Sequence, residues 1–189
     1  MCVFCNIDFS KLENTLIYES KYFYVLPSIG ALVDGYILIV SKRHVNASVC
    51  FNDEEVLEYF SLISKYQKKF FDIYSKMPIV FEHGSFNDMG ASSVVHAHTH
   101  IVNFTFSDEK EFLNKFNFIN VSFDKILKNT NYVKYINDKE IYVTYNFPSK
   151  SQFMRILISN EIGISDKYNW KNDKFMNNVI STIERFKGE

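Results

Sequence analysis

The chain is poor in the residues that punctuate or staple a polypeptide: of 189 residues, six are Gly, three Pro and three Cys. An odd number of cysteines, at Cys2, Cys5 and Cys50, argues against the disulfide framework of a small secreted domain. No apolar run reaches the roughly 18 residues that a membrane-spanning helix needs. The opening stretch, MCVFCNIDFSKLEN, lacks the basic start and unbroken apolar run of a secretory leader, so a cytoplasmic location is the expectation. A net charge of -1 removes the electrostatic case for a long nucleic-acid partner, and no membrane partner is expected. A small anionic ligand needs only one local pocket and stays open. No repeat or low-complexity linker divides the chain.

What is present suits a globular protein. Hydrophobic residues make up 47% and charged residues 23%, enough to bury a real core. The length fits one ordinary domain, with some left over for an extension. Three apolar stretches, 15–19, 22–26 and 36–40, read as strands punctuated by Gly30 and the Asp34-Gly35 pair. Residues 53–74 read as a helix, with Asn52 as N-cap and Asp53, Glu54 and Glu55 at its positive end. Strands follow at 79–82 and 94–104. Beyond Ser107 the pattern predicts a short helix capped at 107–109, a strand at 141–145, a helix at 151–162 ended by Gly163, and a terminal amphipathic helix at 173–186. Strands in hairpin succession followed by helices predict an α+β fold with an antiparallel sheet.

Histidine is scarce as well, which gives its placement weight. Of five in the chain, three fall within five residues, at His96, His98 and His100. On a strand, alternate residues share a face, so the three imidazoles are expected on one side and Val95, Ala97, Thr99 and Ile101 on the other. Such a row can bind metal, shuttle protons, or present one ring to phosphorus as a nucleophile while its neighbours donate hydrogen bonds. Cys2 and Cys5 have the spacing that lets two thiolates reach one ion, a plain thiol pair or a redox pair being the other readings.

The segment Val94-Val95-His96-Ala97-His98-Thr99-His100-Ile101-Val102 resembles the His-x-His-x-His signature of the histidine-triad (HIT) superfamily. Further motifs resemble that family in the same order: Cys2-Val3-Phe4-Cys5 its zinc-type N-terminus, Tyr24 to Pro27 and Gly35 to His44 its early strands and the corner that follows, and Phe81-Glu82-His83-Gly84 a segment before the triplet. The resemblance covers roughly residues 2 to 104. It implies a HIT-like fold with a long helix on an antiparallel sheet, residues 1–106 forming the catalytic core and 107–189 a C-terminal α-helical extension packed on it.

The resemblance also implies roles. His98 becomes the nucleophile toward the α-phosphorus, His100 a donor to phosphate oxygens, and His96 a positioning group or a metal ligand. Cys2, Cys5, His44 and His96 become the four ligands of a structural zinc. Leu26, Pro27 and Ile29 would help form a base pocket. Members of the better-known branches carry Gln four residues before the first His, where this chain has Ser92, so Ser92 or Ser93 would offer a shorter hydroxyl contact. The small, polar loop 87–93 could receive phosphate oxygens on its backbone N–H groups. His83 reads equally as a pocket residue and as a loop histidine. Gln152 and Arg155 could reach a phosphate, and of the two Arg155 is kept as a substrate contact because its planar fork suits bidentate binding.

The expected activity is hydrolysis of a dinucleoside polyphosphate, nucleoside phosphoramidate or nucleotide conjugate, with Mg²⁺ arriving only with the substrate. Related uridylyltransferases carry Gln at the third His, and His100 favours hydrolysis over transfer. A phosphorylase or nucleotidyltransferase is the second reading, and a nucleotide-binding regulatory module with little turnover the third. Relatives are commonly symmetric dimers, which makes the apolar stripe of the 53–74 helix a candidate homodimer surface, although core packing would explain the stripe as well.

Overall fold

In the computed structural model, which describes residues 2–86, 94–148 and 151–187, Asn52 sets the start of the longest element. Its side chain accepts from the Glu55 backbone N–H at 2.9 Å, while the Glu55 carboxylate accepts from the Asn52 backbone N–H at 2.8 Å. This reciprocal cap satisfies two donors that a helix N-terminus otherwise leaves open. Helix α1 (Asp53–Tyr74) runs as expected and ends at Ser75 in the left-handed conformation. Its apolar stripe, including Tyr59, Leu62, Ile63, Tyr66 and Phe70, packs on the sheet residues Ile37, Ile39, Val80 and Ile101. These stripe residues are therefore core, while Leu57 and Phe71 of the same helix are exposed. No described helix is long and apolar enough to cross a membrane.

The sheet has eight strands: β1 (Tyr18–Glu19), β2 (Phe23–Pro27), β3 (Tyr36–Ser41), β4 (Ile79–Gly84), β5 (His98–Val102), β6 (Ile119–Asn120), β7 (Tyr132–Asn137) and β8 (Glu140–Thr144). They pair antiparallel throughout, in the order β1-β2-β3-β5-β4-β7-β8-β6. Helix α1 covers one face. Residues of α3 (Phe153–Glu161), α4 (Met176–Phe186) and the short α2 (Glu109–Lys115) pack against the other, around Tyr36, Leu38, Phe81 and Tyr135. The fold is α+β, as the element pattern predicts.

Two sequence expectations change. The strand predicted over 94–104 enters the ladder only at His98. Before it, the Ala97 N–H turns to the Val45 carbonyl at 2.6 Å and the His96 N–H to Val94 at 3.1 Å. Strand β7 carries no alternation that marks it, because it is central and nearly every side chain in it is buried, Lys134 included. Residues 107–189 thus supply three strands that extend the sheet beyond β4, as well as helices.

Lys134 can be buried because Glu82 lies directly opposite it on β4. Their charged atoms are 2.8 Å apart and both side chains are at most 1% exposed. The carboxylate also accepts from the Ser48 N–H at 2.7 Å, the Ser48 hydroxyl at 2.5 Å and the Tyr132 hydroxyl at 2.8 Å. The ammonium lies over the Tyr59 ring. Ser48 follows the turn after His44, so this network fastens that turn to the sheet. Breaking one member of a buried pair leaves an uncompensated charge. Glu82→Gln is expected to cost about 3 kcal/mol in urea unfolding, and Glu82→Gln with Lys134→Met to cost less than the sum of the two singles. Burial alone would raise the Glu82 carboxyl, but the Lys134 ammonium and the Ser48 hydrogen bonds win and hold it below its ordinary 4.5. A lowered folded-state value means that its stabilisation is complete above that ordinary value and is lost as pH falls below it. The acid limb of stability below about pH 4.5 should therefore be shallower in Glu82→Gln than in the wild type.

Candidate active site

Register decides which side chains meet. Val40 lies opposite His98 and Leu38 opposite His100 on β3, and Phe81 lies opposite His100 on β4. Residues paired across antiparallel strands share a face. Tyr36, Phe81, His83, His98 and His100 therefore look away from α1, while Thr99 and Ile101 look toward it. Thr99 bonds the Tyr59 hydroxyl at 2.7 Å.

The His98 Nδ1 lies 2.6 Å from the backbone carbonyl of His96. A carbonyl only accepts, so Nδ1 carries the proton and Nε2 keeps the lone pair. Burial pushes the His98 pKa down, so the ring is neutral. The Phe4 ring lies 5.0 Å away.

His100 has its centroid 5.0 Å from that of His98 and stacks on Phe81, with centroids 4.5 Å apart and planes 9° from parallel. Its Nδ1 is 2.9 Å from the Tyr36 hydroxyl. Burial, then the neighbouring His98, His83 and Arg155, hold it well below its ordinary pKa. His83 is pushed down to about 3 by burial and then by His98. Its Nε2 accepts the Met154 backbone N–H at 3.5 Å, at the first turn of α3.

His96 does not join that row. Its Nε2–H donates to the Ser41 carbonyl at 2.7 Å, which leaves the Nδ1 lone pair facing the N-terminal segment. There it lies 3.4 Å from Cys2 Sγ, 3.6 Å from Cys5 Sγ and 3.1 Å from His44 Nδ1, and Cys5 Sγ lies 3.2 Å from His44 Nδ1. The four atoms fall within 4.8 Å of one another, a two-sulfur, two-nitrogen set able to hold a metal ion. Burial lowers the His96 pKa as well and keeps the ring in its ligating, neutral form.

A cavity of about 500 Å³ opens over His98 and His100. Of the residues expected at the site, Leu26, Pro27, Ile29, His83 and Arg155 also line it. Ser92, Ser93 and the rest of the 87–93 loop lie outside the described residues. Gln152, expected to reach a phosphate, lines the cavity as well; sequence reasoning missed Phe4 and Ile7, which form a wall from the N-terminal segment, and Trp170, which closes the cavity from the C-terminal part. It also missed Tyr36 as the partner of His100. The one signal was position: Phe4 lies between the two cysteines, so whatever holds them holds it.

Comparison with known proteins bears on this geometry. A family model described as protein similar to CwfJ C-terminal matches residues 1–117. The chain is similar to protein hit of Bacillus subtilis (strain 168), 25% identical over 104 residues, which cover 53% of this chain and 69% of that protein. Among solved structures it resembles a hypothetical histidine triad nucleotide-binding protein from Sulfolobus tokodaii strain7, with 19% identity, 57% of this chain and 71% of that one covered, and a TM-score of 0.47. It also resembles a Zn-bound histidine triad family protein from Mycobacterium smegmatis, with 20% identity, coverage of 57% and 78%, and a TM-score of 0.47. With the family model spanning most of the chain and the His96, His98, His100 motif inside the match, the chain belongs to the family of proteins similar to the CwfJ C-terminus.

Proposed function

We propose that the protein is a nucleotide hydrolase that cleaves a phosphate-linked nucleotide through a nucleotidyl-histidine intermediate on His98. The observation that carries this reading is the bond from His98 Nδ1 to the His96 carbonyl, which leaves Nε2 unprotonated on a residue that lines the cavity. In the first step Nε2 forms a bond to the α-phosphorus while the bond to the leaving group breaks. The leaving atom departs with the electron pair and takes up a proton. The imidazolium so formed keeps its Nδ1–H on the His96 carbonyl, whose dipole stabilises the new positive charge. Water then attacks phosphorus, its hydroxyl stays on the nucleoside monophosphate, its second proton leaves, and neutral His98 returns. His100, held by Tyr36 and Phe81, is placed beside His98 to hydrogen-bond a phosphoryl oxygen. The apolar wall of Phe4, Ile7, Leu26 and Pro27 suits the flat, apolar faces of a nucleobase.

The ion at Cys2, Cys5, His44 and His96 is zinc on this reading, bound in a closed structural site. Tetrahedral zinc with S and N ligands spaces neighbouring N atoms by about 3.3 Å and S–N pairs by about 3.5 Å. The observed 3.1 Å and 3.2–3.6 Å fit those edges. When bound, the ion would supply cross-linking of the N-terminal segment to the sheet. No Mg²⁺ takes part in the steps above.

Two measurements test these assignments. Elemental analysis of the full chain should give about one zinc per molecule, and Cys5→Ser should lower both the metal content and the melting temperature. Metal-free protein of unchanged stability would remove the zinc assignment. For the chemistry, rapid alkaline quenching with a substrate labelled at the α-phosphate should leave label on the protein, because a phosphorus–nitrogen bond is labile in acid and comparatively stable in base. His98→Ala should abolish both label and turnover, while His100→Ala should slow turnover about a hundredfold and keep some label. Turnover without label, with inversion at a chiral phosphorus, would replace the covalent route by direct attack of water. Products that contain added phosphate would identify a phosphorylase, and nucleotide binding without any turnover a regulatory module.

A further inference from the structure

Arg155 lies outside the segment that the family model matches, on the first turn of α3, yet its side chain lines the cavity beside His98 and His100. It is only 3% exposed. Its Nε–H donates to the Tyr168 carbonyl at 2.9 Å and an Nη2–H to the Gly30 carbonyl at 2.5 Å. The guanidinium stands over the Tyr36 ring, 5.6 Å from its centroid, and acts on the Tyr36 hydroxyl. All of these partners are dipoles or π-faces. Among the described residues no carboxylate forms an ion pair with Arg155. A guanidinium fixed in a buried wall with its charge uncompensated fits an anion brought by a ligand.

The rest of the cavity sharpens this. Burial keeps His83 and His100 neutral, so they offer hydrogen bonds and no charge. Lys11, the other cation of the lining, is exposed. Arg155 is thus the buried positive charge among the described lining residues, with part of its five-donor fork left by the two carbonyl bonds.

The surrounding chain is shaped to hold it. Gly30 has φ +72°, and a Cβ there would fall 2.7 Å from Trp170 Cβ and 3.0 Å from Arg155 Nη2. Gln152 is held in the left-handed region at φ 68° while its side chain bonds the Trp170 N–H and the Asn169 side chain. That conformation is uncommon for a residue other than glycine and is retained only where its surroundings over-determine it.

We propose that Arg155 is the anion receptor of the cavity and determines its specificity for ligands that carry a phosphate, so that the C-terminal segment completes the active site. This rests on reading the cavity as a nucleotide site. A latch that only pins α3 to the β2–β3 turn is the competing account. Calorimetric titration of the full chain with AMP, adenosine and inorganic phosphate separates them, with melting temperatures recorded for each variant. Arg155→Gln should weaken AMP about tenfold or more and leave adenosine within about twofold. Arg155→Lys, which keeps the charge and loses the fork, should fall between the two proteins and decides the matter if Arg155→Gln does not fold. Equal losses for AMP and adenosine, or none for AMP, would overturn the proposal and leave the nucleotide reading standing. Phosphate bound through Arg155 without AMP would keep the receptor and overturn the nucleotide reading. No binding of any of the three to the wild type would overturn both.

Discussion

The hydrogen bond from His98 Nδ1 to the His96 carbonyl joins two parts of this protein that could otherwise vary independently. His96 is engaged on three sides. Its Nε2–H is spent on Ser41 at the end of β3, its Nδ1 faces the two cysteines and His44, and its carbonyl fixes the proton on His98. A shift of the His96 backbone would therefore disturb the metal-ligating group and the tautomer of the neighbouring histidine together. Phe4, between the cysteines, lies against both His96 and His98, so the N-terminal segment is part of the same assembly.

The sheet keeps two polar systems apart. Along β4, Glu82 points toward α1 and Lys134, while His83 points into the cavity. The ionic network under α1 fastens the turn after His44 through Ser48, whereas the face bearing His98 and His100 holds neutral rings and apolar walls. The buried Glu82–Lys134 pair thus lies on the face turned away from this cavity, and each of its charges has its partner. On the cavity side Arg155 brings its charge among backbone carbonyls and the Tyr36 ring.

The C-terminal part contributes more than a cover for the sheet. The Asn178 side chain donates to the Ala31 carbonyl at 2.8 Å, and the Thr182 hydroxyl accepts the Gly35 N–H at 2.9 Å. Both contacts tie α4 to the loop between β2 and β3, one wall of the cavity. Tyr36, which begins β3 beside that loop, in turn holds His100.

Several features were legible in the amino-acid order because their causes are local. The span of α1 follows from the Asn52–Glu55 cap and its apolar spacing, and the alternation of His98 and His100 follows from the two-residue period of a strand. The Cys2, Cys5 pair marked a metal-ligating group by spacing, although its completion by His44 and His96 came only from resemblance. The remainder required contacts between distant residues. Lys134 hides β7 because a lysine in mid-strand reads as exposed until Glu82 is placed opposite it. His96 leaves the strand because Ser41 and the cysteines claim its ring, and no periodicity can register that competition. Arg155 reaches the cavity from 125 residues beyond Gly30, across a separation that only packing closes. Amino-acid order fixes which chemical groups are available and which helices and turns they occupy, since those depend on neighbours along the chain. Which groups face the same space, which are charged there and which are spent on structural bonds was decided by the tertiary structure, because burial and pairing are properties of the folded surroundings.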